Sequence, residues 1–289
     1  MSWRTVVIRS KAKLSYQNDY MIVRGEELNM IHLSEINTLI IDSTAVNVTA
    51  YLLCEMVKNK IKIIFCDEKR NPYGEIIPYY GRHNTSKTIS NQLKWSESFK
   101  KKLFTEIVRN KIINQACLLK KLKSDRSYQV FEFAESIELN DYTNREGHAA
   151  KVYFNSLFGK DFFRDSSSGI NAILDYGYAI LLSTFNKEIT SCGYLTQLGI
   201  KHCNEYNHFN LTSDLMEPFR VVIDEMAEKF EQKELNEENR KELIDLLNKK
   251  IDYDSKEYYL INAVQAYVKN FFRAIEEENL NYYVPYYFK

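Results

Sequence analysis

Prolines divide this chain into two parts of different texture. Only four occur, Pro72, Pro78, Pro218 and Pro285, and residues 91–217 hold none. A proline ring removes an amide donor and clashes with the preceding helical turn, so a proline-free run this long permits a bundle of packed helices. Its pattern is helical: Leu93, Leu103, Phe104, Ile107, Val108 and Ile112 mark an apolar face, while Lys100, Lys101, Lys102, Arg109 and Lys111 fill the remainder. Ahead of it, Thr5-Val6-Val7-Ile8, Tyr20-Met21-Ile22-Val23, Thr38-Leu39-Ile40-Ile41 and Ile61-Lys62-Ile63-Ile64-Phe65 read as strands. One helix is expected between Asn47 and Lys60, where Leu52, Leu53, Met56 and Val57 recur at helical spacing, and Asn71-Pro72-Tyr73-Gly74 reads as a turn. The 289 residues exceed one typical domain of roughly 100–200 residues. The expected class is α+β: a small β-rich domain over residues 1–85, followed by a larger all-α domain over 86–289. A charged helix is expected from Glu231 to Lys250, with Leu243, Leu246 and Leu247 as its apolar contacts.

The formal net charge of zero hides a gradient. Residues 1–125 hold 21 Lys/Arg against 12 Asp/Glu, a net of +9, which leaves 18 against 27, a net of −9, for residues 126–289. A basic half meeting phosphates and an acidic half holding a cation is one reading; two ordinary solvated surfaces is the other. No apolar run approaches the roughly 20 residues that cross a bilayer, and Met1-Ser2-Trp3-Arg4 leads into strand-like sequence without a signal peptide's apolar stretch. A cytoplasmic protein with no membrane partner is expected. Cys54, Cys66, Cys117, Cys192 and Cys203 follow no paired spacing and are expected to be reduced, mostly buried thiols.

Three segments of the second half carry metal-binding groups, each with a structural explanation beside the chemical one. In Asn144-Arg145-Glu146-Gly147-His148-Ala149-Ala150, Thr143 stands three residues before Glu146, the spacing of a capping box, and the small residues make a thin helix that another element can approach. His202 follows Gly199-Ile200-Lys201. In Asp214-Leu215-Met216-Glu217-Pro218, Asp214 could start a helix with Glu217 at its third position, or both carboxylates could share one face and serve a cation together with a histidine. One imidazole with two or three carboxylates suits Mg²⁺ or Mn²⁺, and such a site with open positions suits phosphoryl transfer.

With these residues in view, the sequence resembles the CRISPR-associated integrase/endonuclease family, the catalytic subunit of spacer acquisition, in its type II-A branch. The resemblance rests on Glu-Gly-x-Ala-Ala-x-x-Tyr-Phe at Glu146–Phe154, His202, Asp-Leu-Met-Glu-Pro-Phe-Arg at Asp214–Arg220, and Asn171-Ala172-Ile173-Leu174-Asp175-Tyr176-Gly177-Tyr178, and it covers essentially the whole chain. It implies that Glu146, His202 and Glu217 are the catalytic metal ligands, Glu217 standing where many relatives have aspartate, and that Asp214 is a supporting acid. His208, the competing histidine, takes a structural or DNA-proximal role.

The implied reaction is transesterification: the 3′ hydroxyl of a short DNA fragment attacks a phosphodiester at the end of a CRISPR repeat. Arg82, Lys94, Arg145, Lys151, Arg164 and Arg220 are candidate phosphate contacts, and Tyr16, Tyr20 and His32 either meet DNA ends or pack locally. The implied assembly is a homodimer on double-stranded DNA with 3′-hydroxyl ends and CRISPR repeat DNA, joined by the small second CRISPR-associated protein. Type II-A systems add a ring-forming adaptation protein and the RNA-guided effector nuclease. The aromatic tail Asn281–Phe288 docks such a partner or packs on its own domain. Rival readings are a metal-dependent nuclease of branched DNA that does not integrate, a zinc-stabilised protein using Cys192, His202, Cys203 and His208, and a non-catalytic DNA scaffold.

Overall fold

Period-two alternation in the front part produces two sheets rather than one. The computed structural model describes residues 4–79, 83–164 and 169–289. In chain order the front part comprises β1 (Arg4–Ile8), β2 (Ala12–Gln17), β3 (Tyr20–Arg24), β4 (Leu28–His32), β5 (Ile36–Ile41), β6 (Val46–Val48), α1 (Ala50–Lys58), β7 (Lys62–Cys66) and β8 (Pro72–Glu75). One sheet has the order β1-β5-β7-β8, parallel except for β8; the other has the order β4-β3-β2-β6. The expected turn at Asn71–Gly74 is instead largely strand β8, an edge strand whose first residue is Pro72, a position that needs no ladder donor.

The β5 run Leu39-Ile40-Ile41 is apolar throughout because both of its faces are covered. Leu39 and Ile41 join Leu14, Met21, Leu52 and Met56 in a core between the sheets. Ile40, Ile64 and Cys66 point the other way, into the core of the helical part. The halves therefore share apolar surface. A buried polar contact reinforces the junction: Lys62 pairs with Glu75, whose carboxylate also accepts from Ser183 Oγ at 2.7 Å and Asn186 Nδ2 at 3.2 Å.

The rear part contains α2 (Thr85–Gln92), α3 (Glu97–Lys121), α4 (Ser127–Glu135), α5 (Arg145–Phe158), α6 (Gly169–Ser191), α7 (Asn210–Met216), α8 (Arg220–Lys229), α9 (Glu237–Asp245) and α10 (Leu260–Glu276). Helix α3 is central, packing on α4, α5, α7, α8 and α10, and it buries Asn110, Asn114 and Gln115 together with its apolar residues. Helix α6 approaches α8 and α9 at Gly177, where a Cβ would stand 2.4 Å from Ile223 Cγ2. Two expectations need correction. The charged segment is helical only over Glu237–Asp245 and a following 3₁₀ turn, Leu246–Asn248, and an antiparallel hairpin, β9 (Lys250–Tyr253) with β10 (Lys256–Tyr259), interrupts the helical part. The hairpin turn uses Asp254 and Ser255 at positive φ, which an Asp at a loop tip tolerates.

The aromatic tail packs on its own chain. Asn110 Nδ2 donates to Tyr286 O at 2.7 Å and its Oδ1 accepts from Tyr286 N at 3.1 Å, while Asn114 Oδ1 accepts from Phe288 N at 3.0 Å. Tyr286 stacks on Phe219 with centroids 4.3 Å apart. Of the cysteines, Cys66 is buried, Cys117 and Cys192 are half-buried, and Cys54 and Cys203 are exposed, so fewer are buried than their composition suggested. Among the described residues no helix is long and apolar enough to cross a membrane.

Candidate metal centre

Glu146 reaches the site from the first turn of α5, and the expected capping box does not form there. Asp141 caps instead, its Oδ1 accepting from Arg145 N at 2.7 Å and its Oδ2 from Glu146 N at 3.0 Å. Thr143 Oγ1 finds no hydrogen-bond partner among the described residues. The Glu146 side chain is thereby released to point at α3. The thin stretch is only partly a contact surface: Ala149 is fully buried, but a Cβ at Gly147 would meet the side chain of Asn144, its own N-terminal neighbour.

Glu217 opens a short 3₁₀ turn, Glu217–Phe219, between α7 and α8, with Pro218 early in the turn where its missing N–H is harmless. Asn114 Nδ2 holds this turn by donating to Pro218 O at 2.8 Å. Lys111 of α3 lies between the two glutamates, its Nζ 2.6 Å from Glu146 Oε1 and 2.6 Å from Glu217 Oε2. Glu217 Oε1 is 3.0 Å from the Arg220 guanidinium, which itself stands 4.8 Å over the Tyr178 ring. Burial pushes the Glu217 pKa up, but Arg220 and Lys111 overcome it and hold the carboxyl at about 2. Although Glu217 Oε2 touches Lys111, it makes no aligned hydrogen bond among the described residues.

Asp214 does not start a helix; it lies inside α7 and is completely buried. Its Oδ2 accepts from Ile200 N at 2.8 Å and Lys201 N at 3.1 Å, and its Oδ1 accepts from His202 N at 3.2 Å and the His202 Nδ1 at 2.6 Å. One carboxylate thus folds the histidine loop and fixes its ring. Gly199 makes the wrap possible, since a Cβ there would stand 2.4 Å from His202 O and 2.7 Å from Asp214 Oδ2. An ionised Asp214 requires the proton on Nδ1, which leaves Nε2 as the nitrogen able to take a cation. The hydrogen bond to Asp214 raises the His202 pKa against burial, and the charges of Asp214, Glu217 and Glu146 raise it further. Glu146 and Glu217 are therefore within electrostatic reach of the ring.

Among the described residues no three His, Cys, Asp or Glu side chains already stand as a ligand set. In the candidate centre the place between two carboxylates is taken by the Lys111 ammonium. The same holds for the zinc reading: Cys192, Cys203, His202 and His208 are not gathered, and the His208 main chain serves as an acceptor for Thr196 Oγ1 at 2.8 Å.

Lys111 was expected among the polar residues outside the apolar face of α3, but its side chain is buried between Glu146 and Glu217, and the signal for this was present. Lys111 stands seven residues after Phe104 and seven before Leu118, both buried, so helical spacing puts it on the covered stripe of α3. Sequence reasoning missed Asp224, whose carboxylate receives the Tyr178 hydroxyl and, at 2.8 Å, that of Tyr153 beneath the site.

The candidate phosphate contacts differ. Arg82 lies outside the described residues. Lys94, between α2 and α3, and Lys151 of α5 are exposed, and Arg145 is half-buried at the start of α5. Arg164 is engaged by Asn171 at 2.6 Å and Asp175 at 2.7 Å, so a phosphate would have to compete for it. In the front part Tyr16 bonds Asp19 and packs edge-on against Tyr51, while Tyr20 packs edge-on against His32.

With this geometry in hand, comparison with known proteins gives consistent results. The family described as CRISPR associated protein Cas1 matches residues 5–247. A protein of Neisseria meningitidis serogroup C (strain 8013) named CRISPR-associated endonuclease Cas1 is 32% identical over 286 residues, covering 96% of this chain and 94% of that one. Among solved structures, a casposase bound to integration product superposes with a TM-score of 0.76 at 16% identity, over 96% of this chain and 92% of that one. A chain of a Cas6-RT-Cas1--Cas2 complex also gives 0.76, at 19% identity over 98% of this chain and 36% of that one, so this chain spans little more than a third of it. At such identities these two structures bear on the fold.

Proposed function

This chain belongs to the Cas1 family of CRISPR-associated proteins, and from that premise we propose that it is a DNA integrase of CRISPR adaptation working with a divalent metal at Glu146, His202 and Glu217. In the proposed reaction the 3′ hydroxyl of a DNA fragment attacks a phosphodiester at the end of a CRISPR repeat. A new P–O bond forms between the fragment's 3′ oxygen and the phosphorus at the repeat end as the bond from that phosphorus to the 3′ oxygen of the flanking DNA breaks; the attacking hydroxyl gives up its proton and the displaced oxygen takes one up. One phosphodiester replaces another, so the step needs no nucleotide cofactor.

The observation that carries this reading is the meeting of Glu146 and Glu217 at one cationic position, with the His202 ring fixed by Asp214 within electrostatic reach of both. Carboxylate oxygens with one imidazole fit Mg²⁺ or Mn²⁺, and the unaligned Glu217 Oε2 is an acceptor still suited to a cation. When bound, such an ion supplies a Lewis acid that polarises the scissile phosphate. The chain's own part is positioning. Asp214 presents the His202 ring through Nε2, Asn114 holds the Glu217 turn, and Asp141 fixes the start of α5 beneath Glu146. Arg145, Lys151, Lys94 and Arg220, with Arg82 and Arg164, are proposed to meet phosphates.

The proposed assembly is a cytoplasmic homodimer on double-stranded DNA, joined by the small second CRISPR-associated protein; the solved complex containing Cas1 and Cas2 supports that pairing. Membership of the type II-A branch, with its ring-forming adaptation protein and effector nuclease, belongs to the same proposal. The second reading, a nuclease of branched DNA, uses the same residues and differs in product.

Strand transfer decides between them. A labelled 3′-hydroxyl fragment is incubated with supercoiled plasmid bearing a leader and repeat, the small partner and Mg²⁺ or Mn²⁺. Joining that folded Glu146→Ala, His202→Ala and Glu217→Ala all lose is the expected result. Joining retained by these variants overturns the ligand assignment, and metal-dependent cutting without joining favours the nuclease.

A further inference from the structure

We propose that Lys111 is a built-in competitor for the metal: its ammonium occupies the seat between Glu146 and Glu217, and a divalent ion enters as that ammonium leaves. The inference rests on the metal-site reading above and adds what must happen before the site can be loaded.

Geometry carries the argument. Nζ stands 2.6 Å from one oxygen of each glutamate, so it fills the space between the two carboxylates that would hold a cation. The seat is enclosed, the Lys111 side chain being 13% exposed and that of Glu217 5% exposed, and in such surroundings an ammonium and a dication repel strongly at contact distance. Glu217 moreover already has a second cation on its other oxygen, Arg220, so Lys111 is not its sole compensation.

Charge counting points the same way. Glu146, Glu217 and Asp214 contribute −3 and Lys111 and Arg220 +2, leaving −1 with His202 neutral. Without Lys111 an arriving dication meets −2. A lysine suits this exchange because its charge sits on a flexible four-carbon stem and can swing away, which the planar fork of an arginine does less readily. The outlet lies on the Glu146 side, where that side chain is 29% exposed.

The test measures metal binding directly, without DNA. Mn²⁺ is titrated into the full-length protein and the free ion followed by electron paramagnetic resonance, for wild type, Lys111→Met, Lys111→Arg and Glu146→Gln. Lys111→Met is expected to bind Mn²⁺ at least tenfold more tightly than wild type, Lys111→Arg no more tightly, and Glu146→Gln to lose binding. A Met variant that binds equally or more weakly, while Glu146→Gln still abolishes binding, overturns the role of Lys111 and leaves the metal site standing. Wild-type binding in Glu146→Gln removes the metal site and this inference with it. Because Lys111→Met leaves two carboxylates close together, its melting temperature is followed in parallel. Mn²⁺ should raise it by more than in wild type, and a Met variant that stays unfolded with saturating Mn²⁺ also counts against the proposal.

Discussion

Asp214→Asn tests whether one buried carboxylate sets the histidine tautomer. The carboxylate accepts four bonds, two at each oxygen, and asparagine offers one acceptor oxygen and one donor NH₂. The oxygen is expected to stay with the Ile200 and Lys201 amides, because Ile200 is buried and its N–H has no other recourse. The NH₂ then faces His202, whose Nδ1 must accept, and the ring proton moves to Nε2. A charge-assisted hydrogen bond of this kind contributes about 1.5–3 kcal/mol. The His202 amide loses its acceptor too, but it lies in an exposed loop and can be rehydrated. The expected loss of stability is therefore about 2–4 kcal/mol, or roughly 3–7 °C in melting temperature for a chain of this size. Activity should fall as far as in His202→Ala although the imidazole remains, since Nε2 is then protonated. Thermal denaturation, strand transfer and the ¹⁵N shifts of the His202 ring would be measured on one preparation. A folded Asp214→Asn protein with full activity, or with Nδ1 still carrying the proton, would refute the reasoning.

Three further outcomes are expected. Gly177→Ala should cost about 1–3 kcal/mol in urea denaturation, because the added Cβ lies 2.4 Å from Ile223 Cγ2 and 3.2 Å from Leu243 Cδ2, and both neighbours are themselves buried. Burial raises the Asp224 pKa to about 6 despite the Tyr178 and Tyr153 hydroxyls and the nearby Arg220. The folded state therefore holds a proton up to about pH 6 that the unfolded chain releases near pH 4, so stability should fall by about 2–3 kcal/mol between these values and then level off. Urea midpoints at pH 4.5 and 7.0 should show this slope in wild type and not in Asp224→Asn. Asn110→Ala removes both buried hydrogen bonds to Tyr286 and should cost about 2–4 kcal/mol, with faster proteolysis at the tail as the direct readout.

Local patterns made much of the architecture legible. Short runs rich in β-branched residues at Thr38–Ile41 and Ile61–Phe65 read as strands, and the spacing of Leu103, Phe104, Ile107, Val108 and Ile112 marks a helix face. The candidate metal-binding side chains, Glu146, His202, Asp214 and Glu217, could be named from their order along the chain. Misreadings fell where a local rule has a tertiary competitor. Thr143 has the spacing of a cap, but Asp141 took the amides; Glu231–Lys250 has helix-forming composition, but its end pairs into a hairpin.

The sequence by itself determined that a β-rich front precedes a helical rear, because periodicity is a property of neighbours along the chain. It also determined which titratable side chains were available for a metal. Only the tertiary structure decided what each face meets. Periodicity can place Lys111 on the covered stripe of α3, but its position between Glu146 and Glu217 depends on α5 and the Glu217 turn packing against the same stretch of that helix. Likewise Asp214 became the organiser of the His202 loop, and the tail became part of the core, because packing brought together groups that no local pattern links.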